Sequence, residues 1–396
     1  MENKKKTTYI RSSIYEPSIL SIMAKSAYVF RSAEDTLIFC YDADRESRNG
    51  DTWSIPTIIE DDDDVPWSHK GIRKVIINPS FADYLPTTTA YWFWRFKSLI
   101  TIEGLEHLNT SEVTDMQNMF WYCEALTSLD VSHFDTAKVT NMTQLFSDCS
   151  ALTTLDLSNF DTANVTELVN MFYGCKSLTY INLSSFNTAK VTELGGMFYN
   201  CEALTALDLS HFDTRNVVNM EGMFKGCALL TTLDLSSFNT SAVISMSRMF
   251  EGCASLTTLD LSNFNTAKVK YMYDMFSGCS SLTTLDVSSF ETSNVEGMSA
   301  MFNECSSLTS LDVSGFNTSK VTNMMKMFRH CSSLTSLDVS GFNTSKVKCM
   351  SGMFFQCSSL KTLDVSHFLT TKVKAFDYMF FGCDALQGVD LSRFQA

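Results

Sequence analysis

The sequence predicts an α/β repeat solenoid: a stack of short coils with a parallel β-sheet face, short helical or 3₁₀ turns and an N-terminal β-rich cap. Three observations carry that reading. Phe134, Phe160, Phe186, Phe212, Phe238, Phe264, Phe290, Phe316, Phe342, Phe368 and Phe394 recur at an unbroken interval of 26 residues. A cysteine column from Cys123 to Cys383 keeps the same interval in phase, with no insertion or deletion between residues 108 and 396. All five prolines (Pro17, Pro56, Pro66, Pro79, Pro86) precede residue 99, as expected if every later coil needs its amides for ladder bonds.

The chain divides into an N-terminal segment (1–34), a cap with a degenerate first coil (35–107) and a solenoid of about eleven 26-residue units (108–396). Lys4-Lys5-Lys6 resembles the basic start of a signal peptide, but polar residues, Arg11 and Glu16 follow, and Lys25 interrupts the short apolar stretch from Ile19 to Phe30. No Sec signal peptide is read here. The expectation is a protein kept inside the cell, one exported by another route, or one whose leader is missing from this sequence. No apolar run approaches the roughly 18 residues of a membrane span, so membrane insertion is not expected.

In the cap, Thr36 to Tyr41 reads as a strand, Asp42 to Gly50 as a polar turn, and Arg73 to Ile77 as a second strand. Tyr91, Trp92, Phe93, Trp94 and Phe96 crowd the junction, where they would cover the open core of the first coil. Phe96 occupies the cysteine station, with a one-residue insertion before Leu108. Asp61 to Asp64 reads as a solvated acidic loop, with a cation site the lesser alternative.

Within a unit, Leu152-Thr-Thr-Leu155-Asp156-Leu157-Ser158 alternates apolar and polar residues with the period of a strand buried on one face. Leu155 and Leu157 should point in; Thr154, Asp156 and Ser158 out. After Phe160, Asp161-Thr162 suits a turn, since short polar side chains bond neighbouring backbone. Val165 and Leu168 return the chain to the interior in a second extended piece, and Met171-Phe172-x-x-Cys175 has the spacing of one helical or 3₁₀ turn. One unit cannot bury its own apolar side chains; stacked copies make columns of like residues about 4.8 Å apart.

With 396 residues, 45% of them hydrophobic, the chain can build that core without disulfides or metal. Its net charge of −14 sits mostly in the repeats and argues against nucleic acid as a partner. Stacked cysteines have parallel side chains farther apart than a disulfide allows, and zinc needs converging ligands, so the column reads as buried thiols acting as small hydrophobes. The methionine column (Met119, Met171, Met197, Met223, Met249) reads as core filler. His133, His211 and His367 lie three and six coils apart, too far to converge on one ion.

The candidate ligand or cation strip is the outward aspartate column: Asp130, Asp156, Asp208, Asp234, Asp260, Asp286, Asp312, Asp338, Asp364 and Asp390, with Asn182 the one exception. Carboxylates about 5 Å apart repel by about 1 kcal/mol in water-like surroundings, so something must offset that. The plain answer is hydrogen bonding from Thr and Ser hydroxyls on adjacent strands, with salt screening; the alternatives are a file of Ca²⁺ ions or a basic partner. No metal site is assigned and no cofactor is expected outside the Ca²⁺ alternative. An enzyme breaks symmetry at its active site, whereas almost every polar residue here is a copy, and no phosphate loop, dinucleotide fingerprint, nucleophile elbow or His-x-x-x-His pair is present. Catalysis is not expected, and no catalytic residue is named.

These units resemble the BspA-type leucine-rich repeats of bacterial surface proteins, whose pattern is Leu-x-x-Leu-Asp-Leu-Ser-x-Phe-Asn-Thr-Ser-x-Val-Thr-Asn-Met-x-x-Met-Phe-x-x-Cys. Phe39-Cys-Tyr-Asp-Ala-Asp-Arg-Glu-Ser-Arg-Asn-Gly50 and the junction from Tyr91 to Thr110 also resemble the leader region of such proteins. The resemblance implies a leucine-rich-repeat-like stack and a non-enzymatic adhesion or protein-binding scaffold, secreted or on a bacterial surface, that engages a protein or glycan. The rival expectation is a self-associating structural, virion or cytoplasmic scaffold that stacks end to end through its C-terminal coil, where the chain stops part-way through a unit with no matching cap.

Overall fold

In the computed structural model, residues 24–394 are described, apart from Ser68 and Leu391. The cap is a five-stranded sheet of β1 (Ser26–Ala33), β2 (Thr36–Asp42), β3 (Thr52–Ser54), β4 (Lys74–Ile77) and β5 (Thr101–Glu103), in the order β3-β1-β2-β4-β5. β1 pairs antiparallel with β2 and β3, while β2, β4 and β5 run parallel. The N-terminal boundary needs correcting. Residues 26–33, placed in the N-terminal segment on sequence, are a full strand of the cap; most of that segment lies outside the described residues. The reason is the alternation along β1: Val29 packs into the main core, and Tyr28 and Phe30 pack with Cys40 on the opposite face.

β4 lies beside β5 with Val75 opposite Ile102, and Ile102 stands 27 residues before Leu129, at the same station of the next coil. The parallel half of the cap therefore runs straight into the repeats. Phe39, Phe81, Trp67, Trp92 and Phe93 meet ring to ring over the first coil, and Trp67 Nε1 donates to the Trp92 carbonyl at 2.9 Å. Tyr91 and Trp94 remain half-buried at its edge. The cap coil's amides reach carbonyls 26 residues on (Phe93 to Met119), where each later coil reaches 25 (Phe120 to Leu145), which is the inserted residue seen directly.

From there the chain is a leucine-rich-repeat-like solenoid around one continuous core, from Val29 to Phe394. Leu155 and Leu157 are buried between exposed Thr154, Asp156 and Ser158. Phe120, Phe146, Phe172 and their successors stack with centroids 5.3–5.9 Å apart down the axis. The five named methionines are fully buried.

The sheet face is sparser than the alternation predicts. Among the described residues, only β6 (Thr154–Asp156) and β7 (Tyr180–Asn182) form a ladder there, with isolated single bridges farther along at Thr284–Ser310 and Ser336–Thr362. The near-continuous ladder is the second extended piece, with parallel bridges from Thr88 through Asp115, Asn141, Glu167 and onward to Gly297, then from Asn323 to Ala375. Along the strip, the amide of the Ser two positions after each Asp bonds that carboxylate in a turn rather than a neighbouring strand.

The turn that follows the second ladder has a backbone the sequence reading missed. Amides alternate between two kinds of partner: Asn170, Phe172 and Gly174 donate to the next coil (Gly195, Met197, Tyr199), while Met171, Tyr173 and Cys175 donate three residues back. The alternation needs a left-handed residue at two stations per coil. One is the column Asn118, Gln144, Asn170, Gly196, Gly222, Arg248 and onward; the other is Tyr122, Asp148, Gly174, Asn200, Gly226, Gly252 and onward. Every helix among the described residues is a short 3₁₀ turn.

Candidate functional site

The ten aspartates do lie along one exposed strip, but the structure changes the reason they tolerate one another. The donor is not a hydroxyl on the neighbouring strand. It is the residue two positions on in the same coil: the Ser132 amide donates to Asp130 Oδ1 at 3.0 Å, Ser158 to Asp156 at 3.0 Å, Ser236 to Asp234 at 2.9 Å, Ser366 to Asp364 at 2.8 Å, and Ser392 to Asp390 at 2.9 Å. The Ser210 and Ser314 hydroxyls add bonds of 2.7 Å to Asp208 and Asp312. Hydrogen bonding to the charged form outweighs repulsion between neighbours. The Ser262 amide holds Asp260 below the ordinary carboxylate range although Asp286 and Asp234 push it up; the Ser236 amide lowers Asp234 likewise, and the Ser288 and Ser340 hydroxyls, with their amides, lower Asp286 and Asp338. Asn182 accepts the same bond from Ser184 at 3.1 Å, so the position requires an acceptor rather than a charge. Among the described residues, no three acids, histidines or cysteines converge as metal ligands would.

The thiol column is inert by construction. Each Sγ donates to a Phe carbonyl of the preceding coil, as Cys175 does to Phe146 at 3.1 Å, and the described cysteines are all free. Burial pushes Cys175, Cys227, Cys305 and Cys357 up to about 12. His211 and His367 each bond a strip carbonyl, at 2.8 and 3.1 Å. In the acidic loop, Asp61 accepts from the Asp63 amide and Asp64 from the Glu60 and Asp61 amides, as a capping box.

A second polar column, read on sequence only as a turn, is buried. Thr188 Oγ1 donates to the Asp213 carbonyl at 2.9 Å and accepts from the Asp213 amide at 2.8 Å, and the same two-way bond recurs at Thr110 and from Thr162 to Thr344. These hydroxyls join one coil to the next.

The surface that does vary is the outside of the turn after the second ladder. Near the cap, Trp94, Trp121 and Tyr122 pack ring on ring, and Trp121 Nε1 donates to Asp148 at 3.3 Å. Burial raises the Asp148 carboxyl above its ordinary value. Farther along, Tyr173 and Tyr199 stack with centroids 4.5 Å apart, Lys225 sits 5.0 Å over Tyr199, and its ammonium pairs with Glu251 at 3.0 Å. Burial alone would lower the Lys225 pKa; Tyr199 and Glu251 more than offset it. Arg248 lies 3.6 Å from Glu221, 3.6 Å from Glu251 and 3.8 Å from Asp274, beside parallel Tyr271 and Tyr273. Near the far end, Arg329 covers Phe355 at 5.0 Å, and Phe355 stacks on Phe381, which is 57% exposed. Sequence reading passed over these residues because they do not repeat. That absence of repetition was the signal.

The chain belongs to the family described as Mycoplasma protein of unknown function, DUF285, whose model matches residues 90–207, 193–310 and 280–394. No curated protein matches it. Among solved structures it is similar to a leucine rich cell surface protein from Faecalibacterium prausnitzii, at 16% identity over 93% of this chain and 95% of that one, with a TM-score of 0.42. It is also similar to a leucine-rich repeat protein from Bacteroides ovatus, at 16% identity over 88% and 97% of the two chains, with a TM-score of 0.32.

Proposed function

We propose that the chain is a non-enzymatic binding scaffold of the bacterial surface type that engages a protein or glycan through the turn surface. The observation behind this is the contrast between faces. At one station of the turn, the coils carry in succession Trp121, Ser147, Tyr173, Tyr199, Lys225, Glu251, Ser277, Asn303, Arg329, Phe355 and Phe381, with Ser147 and Ser277 buried, whereas the strip repeats Asp at ten of its eleven stations. Half-buried aromatic and Arg side chains on a rigid frame, with Phe381 exposed, are the kind of anchor that binding surfaces use, and repeated weak contacts along the rod add by multivalency. Placement at the surface follows the BspA-type resemblance.

Two measurements test this. Proteolysis of intact cells should cleave the repeats; protection until lysis would overturn the surface placement. On immobilised extracellular-matrix protein, the double variant Tyr173→Ala/Tyr199→Ala should lose binding while Asp156→Asn/Asp208→Asn keeps it; the opposite pattern would move the site to the strip. Self-association through the last coil is the alternative, and light scattering that shows mass rising with concentration would favour it.

A further inference from the structure

The turn surface carries an open pocket, about 410 Å³ in volume, between the coils that carry Arg248 and Tyr273. It is within the range of small-ligand sites. Its walls come from several coils. Tyr271 and Tyr273 lie parallel, 16° apart with centroids at 5.9 Å, and Tyr271 is 37% exposed. At the corresponding stations the coil before carries Ser245 and Ser247, and the coil after carries Gly297 and Ser299. Small residues on both sides keep the rings uncovered. Gly297 has a specific task, because a β-carbon there would collide with the ring of Tyr273. Arg248 is held at the mouth between Glu221 and Asp274, and the Ser247 hydroxyl, on a residue only 3% exposed, lines the cavity with no hydrogen-bond partner. A buried hydroxyl left unmatched is a cost that a ligand can relieve.

The chemistry of the walls selects the ligand. Glu221 and Asp274 against Arg248 leave a net negative lining, which disfavours an anion, and a cation would have to displace Arg248 from carboxylates it already pairs with. What fits is a neutral molecule with several hydroxyls and one apolar face: hydroxyl donors to the carboxylates, hydroxyl acceptors for Arg248 and the serines, and C–H groups against the free Tyr271 ring. We propose that this cavity is a saccharide site that takes one neutral hexose unit of a glycan. The assignment rests on the turn surface being the binding surface, and it names a ligand class for one place on it.

The test is affinity electrophoresis of the full chain in native gels containing mannan, galactomannan or mixed-linkage β-glucan. Retardation by at least one polysaccharide is expected, reduced tenfold or more by Tyr271→Ala and by Asp274→Asn, with Asp156→Asn, on the strip and outside the cavity's walls, retarded like the parent. Unchanged thermal melting of Tyr271→Ala keeps the comparison free of folding effects, since its ring is partly exposed. Free migration through all three gels, or equal retardation of Tyr271→Ala, overturns the saccharide assignment. If the chain meanwhile still binds matrix protein through Tyr173 and Tyr199, the scaffold reading survives and only this site's ligand class falls.

Discussion

Along the strip, the acidic side chain of almost every coil does the same local job, folding the Asp-x-Ser turn through the amide two residues on. Along the turn surface, equivalent positions pass from indole to phenol to ammonium to carboxylate, and neighbouring coils pair in different ways. Repetition on one face is therefore architecture, and its loss on the other marks side chains that stacking does not prescribe. A charge column that looks like a ligand strip can be explained by backbone geometry alone.

Substitutions should separate the two regions. The largest effect belongs to the shared core: Phe224→Ala removes a ring stacked at 5.9 and 5.8 Å between Phe198 and Phe250, and should destabilise by about 3–5 kcal/mol in urea unfolding. Next, Thr188→Val keeps the shape but strands the amide and carbonyl of Asp213, for a loss of about 1–3 kcal/mol in the same assay. Smaller and opposite in sign, Lys326→Gly relieves a left-handed residue at φ 58° and should stabilise by about 1 kcal/mol, while Gly252→Ala, at φ 73°, should destabilise by a similar amount.

Smaller again is the strip. The triple variant Asp156→Asn/Asp208→Asn/Asp234→Asn should melt within a few degrees of the parent at pH 7, because Asn accepts the same bond, as Asn182 does. Each of these carboxyls is depressed in the folded chain by its Ser bonds, so its contribution is present above the unfolded value of about 3.9 and is lost as pH falls through the folded one. Melting curves below about pH 4 should show the parent losing more than the triple variant. Least of all, millimolar Ca²⁺ should move the melting temperature no further than NaCl of equal ionic strength; a clear rise would restore the cation reading of the strip.

The coil was legible because its core is written in single residue types. Phe172, Cys175, Leu155 and Met171 each recur in phase, and self-comparison finds such columns at once. The left-handed stations were not, although Gly174, Gly226, Gly252 and Gly278 share one of them, because Tyr122, Glu304 and His330 occupy the same place and hide the pattern. β1 was missed because it precedes the repeats and buries both faces. The Arg248 cavity escaped for a different reason: Glu221, Arg248, Tyr271 and Gly297 stand on four successive coils, and only stacking brings them together.

By itself, then, the sequence determined the period, the identity of every core column, the absence of insertions and the inertness of the thiols, because burial of like upon like is fixed by spacing along the chain. Tertiary structure alone decided which polar columns are buried, which ladder is near-continuous, and where non-repeating side chains from different coils line an open pocket. Those outcomes depend on hydrogen bonds and contacts between coils 25 to 29 residues apart, whose partners no local pattern names.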